Sequence, residues 1–598
     1  MRRSRSIAVL AAAAFAVLLV PTLAFGHIER ASYFPDPRPD NSVHPAAGGK
    51  IPKIRSLASA LLTSPPGVTR VVCQRDSLAR LHRDIVGAER SYTIRPTDRR
   101  RLSQHGAAAI TRLNRALYRR CRYHSIQSAV TASHNNDRVV VMPGYYTEPA
   151  SRRARTHDPK CDKYTQGNDR GETGAVSYLY QTKCPNDQNL IAVMGRANGK
   201  GHDPQPPRDD RHGIPNLGKC IRCNLQLEGS GVAPDDVVVE AGRLKSGDHA
   251  PIGHVKDVGI RADRADGFVL RNMKVRHAGE HDVYILESDG YVFDRLKTFY
   301  GGEYGVLTFV EDHGLMQNCE AAGNGDSGLY PGAGADTQDY IWPGDHPRFS
   351  QEIRFCDSHH NAGGYSGTDG NAVHVDHNNF YDNALGFTTD VFTAAGHPGY
   401  PQKADTIENN RFYSNNFNPY IAGSDVEPSI PVPVGTGLWI AGGNRDIVRN
   451  NRFYDNWRRG TMLFAVPDAV VCPGPPAGQS QAGCDPHKVS TSFNDRFYGN
   501  TMGIAPNGSS KPNGTDFWWD DFSGNTGNCW YGNKPAAGKS ITTSPPILPD
   551  CAGGTDPSSS VGTGYPPNES ELGSCLVDFT VTHTPACDWF TTPSRPSP

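Results

Sequence analysis

Several absences narrow this chain before any motif is considered. Its 598 residues carry 61 Lys and Arg against 62 Asp and Glu, a formal net charge of −1. Without a basic excess there is no electrostatic footprint for nucleic acid or for an anionic membrane surface. After the first 20 residues no apolar run is long enough to cross a bilayer, so no membrane span is expected. No dinucleotide fingerprint is present either: Gly229-Ser-Gly231 lacks the third glycine and the helix that should follow, and reads as a turn.

Glycine (63) and proline (46) are plentiful, as many tight turns between short strands require. The start resembles an export signal, with Arg2, Arg3 and Arg5, an apolar stretch from Ile7 to Val20, and the small-residue site Ala24-Phe-Gly26. A secreted, extracellular chain of expected monomeric state follows, and its 14 cysteines then favour disulfides. Sequence-neighbour pairing gives Cys73–Cys121, Cys161–Cys184, Cys319–Cys356, Cys472–Cys484, Cys529–Cys551 and Cys575–Cys587. Cys220 and Cys223 are left over. In a reducing compartment that pair, with Cys161 and Cys184, would instead suit a four-thiolate zinc site.

The strongest positive signal is a repeated hexapeptide. Asn378-Asn-Phe-Tyr-Asp-Asn383, Asn410-Arg-Phe-Tyr-Ser-Asn415, Asn451-Arg-Phe-Tyr-Asp-Asn456 and Asp495-Arg-Phe-Tyr-Gly-Asn500 recur, with a weaker Asp520-Asp-Phe-Ser-Gly-Asn525. One such unit cannot close a core. Stacked copies build an inner aromatic row and an outer Asn row bonding from rung to rung, which is the logic of a solenoid. Val275, Thr298 and Ala321 recur every 23 residues and are read as continuing into Phe380, Phe412, Phe453, Phe497 and Phe522. A Gly-apolar-x-apolar strand also recurs, as in Gly305-Val-Leu-Thr308, Gly328-Leu-Tyr-Pro331, Gly386-Phe-Thr-Thr389 and Gly437-Leu-Trp-Ile440.

The passage Ser125-Ile-Gln-Ser-Ala-Val130, Arg138-Val-Val-Val-Met142 and Tyr145-Tyr-Thr-Glu148 resembles the opening of right-handed parallel β-helix proteins of the pectin-lyase-like superfamily. Leu225-Gln-Leu-Glu-Gly-Ser-Gly231 with Asp235-Asp-Val-Val-Val-Glu240 is similar to their next coil. The resemblance implies an all-β, right-handed parallel β-helix over residues 121–530. It leaves residues 1–26 as signal, 27–120 as an N-terminal capping segment with short helices, and 531–598 as a loose, disulfide-stapled tail. In the cap, Ile110, Leu113 and Leu117 mark a helix. The superfamily holds lyases, hydrolases, epimerases and non-catalytic proteins, so the resemblance implies a polysaccharide partner without fixing the chemistry.

Period-two alternation sends Tyr284, Leu307, Tyr330, Ser366, Thr368, Thr388, Asp390, Trp439 and Leu463 outward. Long insertions at about 332–350, 395–405, 423–436, 467–490 and 504–516 are expected to leave at one edge and wall that face. Tyr284, Tyr330 and Trp439 would stack on sugar rings while Ser366, Thr368 and Thr388 take hydroxyls. The same rings would serve equally to pack beneath the loops. Asp369 and Asp390, one coil apart, are the candidate acid and base or Ca2+ ligands, and His397 the candidate proton carrier. An aspartate bonding turn amides is the simpler role for either acid. Nearby Arg458 and Arg459 would neutralise an acidic sugar or simply sit solvated in a turn. His374 and Asp376-His377 fall on another face, near the Asn row. The expected protein binds, and as an enzyme cleaves, a polysaccharide by elimination or hydrolysis. A non-catalytic, adhesin-like binder is the alternative.

Overall fold

The computed structural model describes residues 50–62, 67–165, 176, 178–196, 221–243, 255–338, 347–391, 398–466, 491–576 and 587–597. The expected signal segment, His397, Cys220 and the Cys472–Cys484 pair lie outside them. Among the described residues, 31 strands join through parallel pairing into one continuous sheet, and a separate antiparallel hairpin joins Tyr92–Arg95 to Asp98–Arg100.

The parallel strands form three sides of a coil. The first side runs through 268–271, Gln351–Arg354, Val373–Asp376, Thr406–Glu408, Ile447–Arg449 and Arg496–Tyr498. The second runs through 273–276, Glu320–Ala322, Asp357–His359, Asn379–Tyr381, Arg411–Tyr413 and Arg452–Tyr454. The third runs through Val258–Asp263, His281–Leu286, Ser327–Gly334, Leu385–Asp390, Thr436–Ala441, Arg459–Phe464 and Thr515–Trp519. One left-handed residue bends the chain between the first two sides, as at Asn272, Asn409 and Asn450. Asparagine tolerates that conformation better than most side chains do.

Rung stacking is literal. Phe412 lies 5.2 Å from Phe380 and 4.7 Å from Phe453, with rings within 9° of parallel. Two asparagine ladders line the corners. Asn378, Asn410, Asn451 and Asn500 form one, in which the Oδ1 of Asn410, Asn451 and Asn500 each accepts both the backbone N–H and the Nδ2 of the asparagine one rung before. Asn361, Asn383, Asn415, Asn456 and Asn513 form the other in the same way. The expected outer Asn row is therefore corrected: these side chains turn inward at the corners and are buried. Inside, they satisfy backbone groups that a tight corner would leave without partners.

The ladders also explain the recurring glycines at the start of the third side. A Cβ on Gly364, Gly386 or Gly437 would come within 3.0 Å of a ladder Nδ2 and within 2.5 Å of the next rung's carbonyl.

Four expectations of register change. Phe453 pairs with Met502, whereas Phe497 pairs with Val448 on the first side, so the fourth hexapeptide is one side out of phase. The cause is that corners recur five residues apart: Asp446, Asn451 and Asn456 begin successive sides, and the motif fits either one. Phe522 lies in none of the strands. Leu463 points into the core and its neighbour Met462 outward, because Met462 pairs with Trp439. The insertions leave at both edges of the third side rather than one: 335–350, 391–404 and 465–491 follow its strands, whereas 416–435 and 503–514 precede them.

Thr69–Val72 pairs with Arg138–Val141, so the sheet begins within the expected cap. Helix Gln104–Arg119 buries Leu117 completely. The tail is packed as well as stapled: Leu572, Trp589 and Phe590 join a buried cluster with Trp439, Met462 and Trp518 on the outside of the third side. Disulfides join Cys73–Cys121, Cys161–Cys184, Cys319–Cys356, Cys529–Cys551 and Cys575–Cys587, as sequence-neighbour pairing expects. Cys223 is also in a disulfide. The zinc alternative falls with these bonds, since oxidised sulfurs are not thiolate ligands.

A third corner column carries acids where the others carry amides. The Asp405, Asp446 and Asp495 carboxyls accept the backbone N–H of Val373, Asp405 and Asp446 at 2.8–2.9 Å, and Asn528 ends the column under Asp495. All three are fully buried, and burial pushes their carboxyls well up from the ordinary range. Gln402 shows the consequence at Asp446. Its Nε2 donates to Asp446 Oδ1 at 3.0 Å, while its Oε1 and Asp446 Oδ2 are both buried without partners. Those two atoms face the same spot, 2.1 and 2.4 Å from where a Cβ on Gly443 would stand. A protonated Asp446 completes a two-bond acid–amide ring with Gln402. A raised carboxyl pKa makes stability fall as pH climbs from the ordinary carboxylate range, about 4, through the raised value. Asp446→Asn makes the same ring without a proton. At pH 8 the variant is expected to be more stable by about 1–3 kcal/mol, with the gap closing toward pH 4. Denaturant titrations across that range check it, and a pH-independent gap or a loss of stability contradicts it.

Candidate functional site

Sequence places an acid directly before the third-side strand in three successive 23-residue coils: Glu280-His-Asp-Val-Tyr284, Glu303-Tyr-Gly-Val-Leu307 and Asp326-Ser-Gly-Leu-Tyr330. The parallel register stacks these, with Val283 beside Val306 and Val306 beside Leu329. Period-two alternation puts Tyr284, Leu307 and Tyr330 on the outer face, continued by Ser366, Thr388 and Trp439. Sequence reasoning found this hydroxyl and aromatic column but missed the acids at its foot. The 23-residue recurrence of Glu, Glu and Asp was the signal available for them.

The polar members converge around Asp326. Ser327 and Ser366 hydroxyls lie 2.7 Å apart. Burial raises the Asp326 carboxyl well above its ordinary value, against hydrogen bonding from Tyr304, and the negative charge of Asp390 raises it further. Tyr330, in contact with Thr368, is pushed up by burial and then by the charges of Asp390, Asp369 and Asp326. Thr388 Oγ1 donates to Asp390 Oδ2 at 3.4 Å, and the Trp439 indole N–H donates to Thr388 Oγ1. Asp369 donates its backbone N–H to the Asp390 carbonyl at 3.0 Å, which places it one rung away. A carboxyl kept neutral beside a second acidic group is the arrangement that separates a proton donor from a proton acceptor.

Other candidates fall further away or are covered. Tyr284 packs edge-on to His281 at 5.2 Å and lies under the Arg261 guanidinium at 4.6 Å. Tyr284, Tyr330 and Trp439 are 3%, 1% and 3% exposed, so no ring face lies open to a sugar in this state. Tyr284 and Tyr330 share an apolar cluster with Tyr304, Leu307 and Phe309, and Trp439 packs against Trp589 at 5.8 Å. Arg458 and Arg459 are paired with Asp588 and Glu571 in the tail, and pin that segment down.

Segment 416–435 covers the foot of the column. Ser429 donates its N–H to the Gly325 carbonyl at 2.8 Å, and the Tyr420 hydroxyl accepts from the Val432 N–H at 2.6 Å. Its outer end is held by His360, whose Nδ1 lies 3.0 Å from Asp382 Oδ2 and whose Nε2 lies 2.9 Å from Asp425 Oδ1. Tyr300 donates to the other oxygen of Asp425 at 3.0 Å, and the Phe417 ring covers the imidazole at 4.1 Å. Only a protonated imidazole donates to both carboxylates at once.

Two groups of ligand-bearing side chains within 4.8 Å of one another stand apart from this face: Asp289, Asp312 and His313, and His374, Asp376 and Glu408. In the first, Arg348 already holds Asp312 through both guanidinium nitrogens at 2.6 Å, and His313 lies 2.7 Å from Asp289. Cys73 and Cys121, near His124, are joined in a disulfide.

Residues 251–396 match the family described as the right handed beta helix region. The fold is a right-handed parallel β-helix. No curated protein matches the sequence. Similar solved β-helices include the A-module of mannuronan C-5 epimerase AlgE6 from Azotobacter vinelandii, at 14% identity over 70% of this chain and 92% of that one, TM-score 0.34. Pectate lyase Pel9A is similar at 13% identity over 74% and 84% of the two chains, TM-score 0.30. The periplasmic alginate epimerase AlgG matches at 10% identity over 67% and 69%, TM-score 0.34. These are likenesses of fold.

His360 makes the cover pH-dependent. Burial alone would lower its pKa, but the bonds to Asp382 and Asp425 outweigh burial and raise it. A raised histidine pKa gives stabilisation that is complete below about 6.5 and lost as pH rises through the raised value. Protection of the Ser429 amide, corrected for intrinsic exchange, is therefore expected to fall between pH 6 and 9. In His360→Ala it is expected to be low throughout. Hydrogen exchange measures both, and unchanged protection in the variant would contradict the clamp.

Proposed function

We propose that this is an exported β-helix protein that binds a polysaccharide along the outer face of its third side and cleaves it by acid–base chemistry. The observation that carries this reading is the pairing of Asp326, whose carboxyl burial pushes well up from its ordinary value, with Asp390, whose charge raises it further from the second strand along the sheet, amid hydroxyls of Ser327, Ser366, Thr368, Thr388 and Tyr330. Asp326 is assigned as proton donor and Asp390 as proton acceptor. Asp369 holds the neighbouring corner, and His397 keeps its proposed role as proton carrier. The uronate-containing class is favoured because a carboxyl whose pKa burial raises resists ionising beside a glycan carboxylate, which lessens like-charge repulsion. Export is supported by the five disulfides above, which persist in oxidising compartments. Among the described residues no helix is long and apolar enough to cross a membrane.

A second reading, a binder without turnover, is favoured by one observation: the aromatic members of the column are covered rather than presented. The test is incubation of purified protein with uronic-acid and neutral glycans, with and without Ca2+, following reducing ends and unsaturated-product absorbance. Turnover is expected, falling by about 100-fold or more in Asp390→Asn and in Asp326→Asn, the range for loss of a positioned acid or base. Absorbance identifies elimination, and reducing ends without absorbance identify hydrolysis. Retention on a glycan with no product supports the binder and overturns the acid–base assignment.

A further inference from the structure

The first side carries, on its outer surface and away from the Asp326 face, a group of side chains that the proposed function does not use. His374 and Asp376 are two residues apart on strand Val373–Asp376 and so project to the same face. Parallel register places Glu408 of the next rung beside Asp376. His374 Nε2 lies 2.9 Å from Glu408 Oε1, and one ligand atom from each of His374, Asp376 and Glu408 falls within 4.8 Å of the others. All three are partly exposed, so the group is reachable from solvent.

We propose that His374, Asp376 and Glu408 form a binding site for a divalent transition-metal ion such as Zn2+. Two ligands each about 2.0–2.2 Å from a tetrahedral ion stand roughly 3.4 Å apart. The spacing here brackets that value and needs only side-chain torsions to reach it. Imidazole with two carboxylates is a nitrogen–oxygen donor set suited to zinc and its neighbours rather than to Ca2+, which prefers six or more oxygens.

The surroundings hold the ligands as outer partners hold them in metal sites. The Phe349 ring stacks on His374 at 4.3 Å and 17°, fixing the plane of the imidazole. Arg449 Nε takes Glu408 Oε2 at 2.6 Å, which leaves Oε1 turned toward His374. Asn409 Nδ2 donates to Asp376 Oδ1 at 2.9 Å. His377 Nδ1 lies 2.7 Å from Asp376 Oδ2 with its side chain 53% exposed, so it can swing in as a fourth ligand. Around the imidazoles the carboxylates of Asp376, Glu408 and the neighbouring Glu352 outnumber the guanidinium groups of Arg449 and Arg354, so the surroundings are net negative before an ion arrives.

Calorimetric titration of the chelator-treated full chain with Zn2+ at pH 7.5, with Co2+ absorption as a second readout, tests the site. One equivalent is expected to bind with micromolar affinity and to raise the unfolding temperature. His374→Ala and Glu408→Gln are expected to weaken that equivalent at least tenfold and to remove the tetrahedral Co2+ band, with metal-free unfolding temperatures close to wild type. His360→Ala serves as a control and keeps the site. Equal Zn2+ binding by wild type, His374→Ala and Glu408→Gln, or no binding by wild type, overturns the proposal. So does a Ca2+ affinity matching that for Zn2+. Activity on glycans does not enter any of these outcomes, so they stand whether or not the Asp326 face is catalytic.

Discussion

The structure depends on one kind of contact: a corner side chain whose oxygen accepts from the rung before it. In both asparagine ladders a single Oδ1 takes the preceding backbone N–H and the preceding Nδ2, so each rung fixes the height and phase of its neighbour. Everything with functional content inherits that phase. A one-residue slip would turn every strand over and carry Ser366, Thr388 and Asp390 from the outer face into the core. The stacked phenylalanines supply much of the apolar burial, but a row of rings tolerates sliding. Directional amide bonds do not.

Where the corners hold acids, two solutions appear. In the early rungs three corner carboxylates have basic side chains beside them, Arg196 on Asp266, His313 on Asp289 and Arg348 on Asp312. In the later rungs Asp405, Asp446 and Asp495 stack without such partners, and burial pushes their carboxyls up from the ordinary range. A buried carboxyl costs far less neutral than charged. Asp326 belongs to the second kind, but it faces the outer surface of the third side instead of a corner. The proposed proton-donor role rests on that position.

Much of this was legible in the sequence because it repeats. The Phe-Tyr hexapeptides, the glycines that let ladder amides pass, the neighbouring cysteine pairs and the outward column from Tyr284 to Trp439 all follow from spacing. What was not legible had physical reasons. Corners five residues apart let one motif fit two sides, which misplaced Phe497. A one-position shift of register inverted Leu463 and Met462. The packing of Trp589 over Trp439 joins residues 150 positions apart, and no local pattern reports such a contact. Asp326 is harder to read than Asp369 and Asp390 because its signal is an acid recurring across coils rather than acids lying close together in one stretch. The clamp of His360 between Asp382 and Asp425 needed a loop path that composition does not give.

Asn451→Ala followed by amide hydrogen exchange tests the ladder most directly, because Asn451 accepts from Asn410 and donates to both Ile407 and Asn500. The account predicts lost protection at the Asn410 amide, spreading to rungs on both sides and to the third-side strands Leu385–Asp390 and Thr436–Ala441. Protection that stays at wild-type level beyond the substituted residue would contradict it, and would mean that the aromatic stack alone sets the register.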